Sequence, residues 1–519
     1  MPHHQQVQLR GAPRGQALVL GALSLLLLAL MVALSFNLSH ALRAKTRLQQ
    51  HSDALAYSMA IIEARTLNYF AVSNRAIAAT YVAMNSAHGY LAAASVTSQM
   101  MQAAKTNFHI IAGMEALWCS GCAFGGSGCS HCPHIFQALN IARKFGREAQ
   151  SYEGKIQPLE PPFNQVVTQL DQLMDSIHAS QMMIFLATQT ALRDGSSYGL
   201  SQLKAINAPR SNDLPPAVGL LNAAEFGCAI DGMPCPLPGK PGNSSLASRA
   251  HVMTEVANAT RPNWAANRGL SEQPFPLYLH PKFMTDLMSR IQGQGATFPV
   301  EHDGTSKTVQ QRGSSALHQG SVSNNPGRMS SAHEHGTLFS WWKHGLGFSN
   351  YSAEVVSDAN GGTHQPRRAH TTQHRFEGTN TRDLLLCAGR GNCFMKFRAD
   401  PDPRRDFGQP HVYSYISERL RLDDVSAAPW QLNDTATLKF QNGKKSQATV
   451  QLAANEGAGL SQALVYYHRL TDWREPPNMF NPFWRAKLHP LAPRDAVLVL
   501  EAAGNQDAAQ LAAAPRLPL

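Results

Sequence analysis

No block of five or six consecutive Lys or Arg occurs in the 519 residues, although the formal charge is +10. The basic side chains are scattered, as in Arg367-Arg368 and Arg404-Arg405, the pattern of a solvated surface rather than of a nucleic-acid footprint. Zinc-finger, homeodomain and RNA-recognition signatures are missing too, so nucleic acid is not an expected partner. Charge of either sign is scarce, at 15% of residues, which with abundant Ala, Gln, Ser and Asn suits long, weakly amphipathic helices and polar loops. The 43% hydrophobic content still excludes wholesale disorder.

Catalytic signatures are also lacking. Gly125-Gly126-Ser127-Gly128 has no Lys after it and no strand before it, and Gly389-Arg390-Gly391-Asn392-Cys393-Phe394 lacks the third Gly of a dinucleotide loop, so both read as turns. His370 and His374 have zincin spacing, but Thr371 stands where the general-base Glu belongs. With His333-Glu334-His335, they read as solvated loop histidines. No catalytic residue is assigned, and the chain is not expected to be an enzyme. A zinc-dependent enzyme using this histidine-rich region is the least favoured alternative.

What is present begins with Ala17–Phe36, twenty residues without a charge. As a helix they span about 30 Å, one bilayer core, and exceed the usual apolar region of a cleaved signal peptide. Ser39-His40-Ala41 imitates a cleavage site only weakly. A retained anchor is therefore expected, with a cleaved signal as the alternative. Arg10 and Arg14 before it and Arg43, Lys45 and Arg47 after it leave the positive-inside rule undecided. The eight cysteines do bear on orientation, because each has a near neighbour: Cys119, Cys122, Cys129 and Cys132; Cys228 and Cys235; Cys387 and Cys393. Local pairing of an even number suits an oxidising compartment. The expected topology is bacterial inner membrane, single-pass, with residues 1–16 cytoplasmic and the C-terminal bulk in the periplasm.

The order Arg14-Gly15, apolar span, Asn37, Leu48-Gln49, Asp53-Ala54, then Ala56 and Ala60 resembles the N-terminal domain of TadG-like proteins of the Tad (tight adherence, Flp pilus) assembly family. The resemblance covers about residues 14–63. It implies an envelope protein acting by anchoring and protein–protein interaction, with the lipid bilayer and other pilus-assembly or secretion proteins as partners. The chain departs from the family in having Asn37 where Asp is frequent. Leu20 stands where pilin-like relatives carry Glu, so prepilin-type cleavage after Gly15 is not expected. Asp194-Gly195-Ser196-Ser197-Tyr198 breaks the von Willebrand-type metal motif of some members. The alternative function is an exported binding module or adhesin unrelated to pilus assembly.

The fold class expected is α+β. Leu38 to Leu117 has no proline and only Gly89 and Gly113, and Leu55, Met59, Ile62, Leu67 and Phe70 recur at helical spacing. One helix of that length would reach about 120 Å, so a break near Gly89 is expected. Helix resumes over His134–Tyr152. Pro158, Pro161 and Pro162 interrupt before an amphipathic helix, Phe163–Arg193, that stops at Asp194-Gly195. Residues 38–205 thus form a helical hairpin or bundle stalk, with a Cys-rich turn at 119–132. Residues 206–382, rich in Pro, Gly and His, are expected to be irregular. Residues 383–519 read as a β-rich domain with strands at His411–Leu422, Leu438–Leu452 (hairpin at Asn442-Gly443), Ala463–His468 and Ala496–Glu501. Aromatic, proline-rich Trp473–Arg485 is either a docking surface or a loop packed on that domain.

The Cys cluster carries three readings. Nested disulfides, Cys119 with Cys132 and Cys122 with Cys129, suit the glycine-rich spacer. Four thiolates could instead hold structural zinc, with His131 and His134 contributing. Thiol redox activity is the third. Cys228–Cys235 and a Cys387–Cys393 staple across a hairpin complete the disulfide candidates. No cofactor is expected, zinc at the cluster excepted.

Overall fold

The computed structural model describes residues 14–124, 127–156, 158, 160–195, 199–244, 300–301, 314–317, 328–343, 345–358, 362–366, 376–377, 394–419, 436–442, 446–452, 456–469 and 474–513. One helix dominates it: α1, Arg14–Ser120, 107 residues long. The break expected near Gly89 does not occur. A lone helical Gly costs only about 1 kcal/mol relative to Ala, less than interrupting the backbone hydrogen-bond ladder. Two short 3-10 turns, Gly121–Phe124 and Ser127–His131, lead into α2 (Cys132–Ile156) and α3 (Glu160–Asp194). Pro161 and Pro162 lie in the first turn of α3, where proline's missing N–H costs no helical bond. Gly195 ends α3 at φ +63°, a conformation that favours Gly. Helices α4 (Leu200–Asn207) and α5 (Pro216–Cys228) follow.

The strands are β1 (Val300–Glu301), β2 (Ser314–Leu317), β3 (Arg328–Trp342), β4 (Gly345–Asp358), β5 (Gly362–Pro366), β6 (Phe376–Glu377), β7 (His411–Arg419), β8 (Ala436–Asn442), β9 (Ser446–Leu452), β10 (Glu456–Tyr467) and β11 (Trp484–Leu488). Helices α6 (Pro493–Ala502) and α7 (Gln506–Ala513) close the described chain. β1 to β6 form one antiparallel sheet built on the β3–β4 hairpin. The second sheet has the order β11-β10-β7, all antiparallel, with Leu464 opposite His411 and Tyr467 opposite Trp484. β8 and β9 pair with each other alone, Asn442 opposite Ser446, so the pairing expected around Asn442-Gly443 is present with Asn442 inside the ladder.

The expected boundaries at 205/206 and 382/383 do not separate cores. Leu48, Leu55, Met59, Leu67 and Phe70 of α1 share one buried cluster with Phe185 and Leu192 of α3, Val218 and Phe226 of α5, Val412 and Ile416 of β7, and Val465 of β10. An antiparallel sheet must bury one face, and α1 is the apolar element that covers it. The middle region is corrected accordingly. α5 lies in the 206–382 stretch, yet Val218, Phe226 and Cys228 are buried, and residues 328–358 are a long hairpin. His333, Glu334 and His335 therefore sit in a strand, not a loop, opposite Glu354, Ala353 and Ser352. His370 and His374 fall outside the described residues. Ala496–Glu501 is helical, not extended, because Pro493 and Asp495 in the first turn supply a helix start.

Farther along α1 lies a smaller apolar contact. Phe108 stacks on Phe145 of α2 at 5.7 Å between centroids and meets Trp342 of β3 at 6.3 Å. Here α2 packs along α1, and the tip cysteines lie at the turn between the two helices.

Candidate functional site

α1 has three consecutive environments. In the first, Leu18, Leu20, Leu23, Leu25 to Leu28, Leu30, Met31, Val32, Leu34 and Phe36 are all exposed. Among the described residues this is one helix long and apolar enough to cross a membrane, and none of its apolar window is buried in the protein.

The second environment begins where α1 meets β10. Lys45 Nζ donates to the Ala458 carbonyl, and the Arg47 guanidinium grips both oxygens of Glu418 at 2.7 and 2.9 Å. Gln49 Nε2 donates to Asp53 Oδ1, the Leu460 carbonyl and Ser461 Oγ, each at 2.9 Å. Ser461 in turn donates to Asp53. A Cβ on Gly459 would lie 2.6 Å from the Leu48 carbonyl, so only glycine lets the strand approach this closely. One turn after another, Asn68 exchanges hydrogen bonds with the backbone of Trp484, and buried Asn74 donates to the carbonyls of Met395 and Met479. Trp484 is buried and donates its indole N–H to the Asn478 carbonyl. The described part of the Trp473–Arg485 segment is thus packed against α1 and the sheet. Glu475 holds that loop: the hydrogen bond from Tyr467, helped by those from Asn481, Arg469 and Asn478, outweighs the opposing effect of burial and lowers its pKa to about 2. Glu63 lies in this same stretch, fully buried, with neither carboxylate oxygen hydrogen-bonded. Burial pushes its pKa well up, with the nearby Glu225 charge adding to the effect.

The third environment is the tip. Cys119 pairs with Cys132 and Cys122 with Cys129, with Cα atoms 4.9 and 4.7 Å apart. Cys228 pairs with Cys235 at the end of α5. Cys387 and Cys393 lie outside the described residues. A sulfur in a disulfide is not a thiolate, so in this arrangement the four tip cysteines staple the turn. The metal-ligand atoms there belong to other residues. Glu115, one turn before Cys119, is fully buried, and its Oε2 lies 2.6 Å from His131 Nδ1 and 3.4 Å from His134 Nδ1. Burial raises the Glu115 pKa, but the two imidazoles outweigh it and hold the group below its ordinary value. Trp118 stacks on His131, and Trp342 meets His134 edge-on, each 5.8 Å away.

A second such group joins Asp406, His411 and His489. His411 Nε2 is 2.8 Å and His489 Nε2 3.9 Å from the Asp406 carboxylate. The His411 hydrogen bond lowers the Asp406 pKa. The positive charge of Lys487 adds a minor lowering effect. Asp406 and Phe407 both take positive φ, +49° and +57°, which aims the carboxylate at His411 at a backbone cost.

Sequence reasoning singled out His131 and His134 but missed Glu115, Asp406, His411 and His489. With the outer cysteines paired, the signal for Glu115 is its i, i+4 spacing to Cys119, set against the adjacency of His131 and Cys132. Comparison of the chain with protein-family models, with curated proteins and with solved structures finds no match.

Proposed function

We propose that the chain is a single-pass protein of a bacterial inner membrane that acts by anchoring and protein–protein contact in a pilus-assembly or secretion apparatus of the Tad kind, its folded bulk periplasmic. The observation that carries this reading is the continuity of α1, which passes without a break from exposed apolar residues into the buried centre of the folded unit. An anchor built this way holds its domain in fixed orientation to the bilayer. Supporting it, Leu48, Gln49 and Asp53, on which the Tad resemblance rests, are residues that seat α1 on β10. Locally paired cysteines suit an oxidising compartment.

Crosslinking in native membranes with partner identification tests the role, and a phosphatase reporter fused after Leu452 tests the orientation. Capture of secretion or pilus-assembly subunits, with an active reporter, supports the proposal. An inactive reporter, or a soluble processed chain after carbonate extraction, overturns it. A second reading, an exported binding module, rests on the exposed Leu117, Trp118 and Phe136 near the hairpin turn. It gains if crosslinks from these positions reach only extracellular ligands.

A further inference from the structure

We propose that Glu115, His131 and His134 form a site for one divalent transition-metal ion of the zinc class at the tip of the α1–α2 hairpin. The donor atoms, one carboxylate oxygen and two imidazole nitrogens, lie within 4.8 Å of one another. Two His and one carboxylate, with a remaining position for water, are a donor set that zinc takes. Bonds of about 2.1 Å to a tetrahedral ion put neighbouring donors about 3.4 Å apart. The Glu115–His134 separation already has that value, and Glu115–His131 must open from 2.6 Å by less than about 1 Å.

Three observations favour a metal over a plain ion pair. Glu115 Oε1 is buried with no hydrogen-bond partner, so half of this carboxylate has left water without compensation, which a cation would supply. The ligands are held covalently: His131 adjoins Cys132, whose disulfide partner Cys119 lies one turn from Glu115. Finally, the imidazoles are 14% and 21% exposed, which leaves an entry path, while Trp118 and Trp342 hold the rings in place. Such an ion would tie α1 to α2 through three side chains beside the disulfides. The Asp406 group serves as the internal control, since both of its carboxylate oxygens already face a histidine and its side chain is 30% exposed, so no buried oxygen there lacks compensation.

The test uses the full chain in detergent with its disulfides intact, titrated with zinc by calorimetry and with cobalt by absorption. One ion per chain is expected. Glu115→Gln should weaken binding about 100-fold or more; the His131→Asn, His134→Asn pair should abolish it; and His411→Asn should leave it unchanged. Saturable binding absent from the wild type, retained in a folded Glu115→Gln chain, or lost in His411→Asn overturns the proposal. A wild-type measurement guards against misfolded variants: zinc should protect His131 and His134 from diethylpyrocarbonate, read by mass spectrometry. Equal modification with and without zinc overturns it as well.

Discussion

Two buried glutamates on one helix have opposite fates. Glu63, in the base of the folded unit, lies in an apolar core with no hydrogen bond, and burial drives it toward the neutral acid. Glu115, at the tip, is likewise shielded from solvent, but two histidines hold its pKa below the ordinary value. The difference lies in the surroundings: Glu115 lies under less protein and has hydrogen-bonding partners, and Glu63 has none. The base has a large apolar cluster drawn from six helices and a sheet, so it tolerates an uncompensated carboxyl. Toward the tip, α1 packs on α2 through a second apolar contact that includes Phe108, Ile111, Ile141 and Phe145 with Trp342, and covalent and electrostatic ties add to it at the turn.

If that contrast is right, the largest effect comes from the tip. Replacing Cys119, Cys122, Cys129 and Cys132 by Ser should cost about 5 kcal/mol locally, at roughly 2–3 kcal/mol per bridge in the chain-entropy model. Hydrogen exchange should show α2 amides opening while those of β10 stay protected; equal loosening of both would break the division into base and tip. In the base, Leu67→Ala should cost about 2–5 kcal/mol. It should lower the urea midpoint followed by Trp484 and leave tip exchange unchanged. A pH test sharpens the contrast. Because the folded state raises the Glu63 pKa above its ordinary value near 4.5, this group's contribution is full below that pH and is lost as pH rises through the folded pKa. Glu63→Gln should flatten the decline in base stability as pH rises above about 4.5; a variant with the wild-type slope would remove Glu63 from the account. The smallest effect belongs to half-exposed Arg47, whose ion pair with Glu418 should be worth under about 1 kcal/mol. Arg47→Gln should shift the same urea midpoint barely, and less in high salt.

How much of this was legible in the sequence varies by region. Helical periodicity and cysteine spacing are local signals, so α1, α2, α3 and the nested pairing of the tip cysteines could be read from nearby residues. α5 was hidden by averaging: its thirteen residues sit in a stretch whose Pro, Gly and Asn content reads as linker, yet Pro216 is a helix-start signal. The segment from Ala496 was read as a strand because short apolar runs fit either period. The β3–β4 hairpin was missed because its Ser, His and Gly content suggests loop, while its pairing is a cross-strand property. The Glu115–His131–His134 group depends on bringing residues sixteen and nineteen positions apart together at a turn, which residue type alone does not announce.

The unbroken course of α1 makes the molecule a lever. From Asn37 to Ser120 the helix extends roughly 125 Å at 1.5 Å per residue. A tilt of about 5° at its Asn37 end would swing its far end by about 10 Å over that length. Motion imposed on the apolar N-terminal end of the helix is thus magnified at the disulfide-stapled end. A force applied at that far end gains the same mechanical advantage over the apolar span.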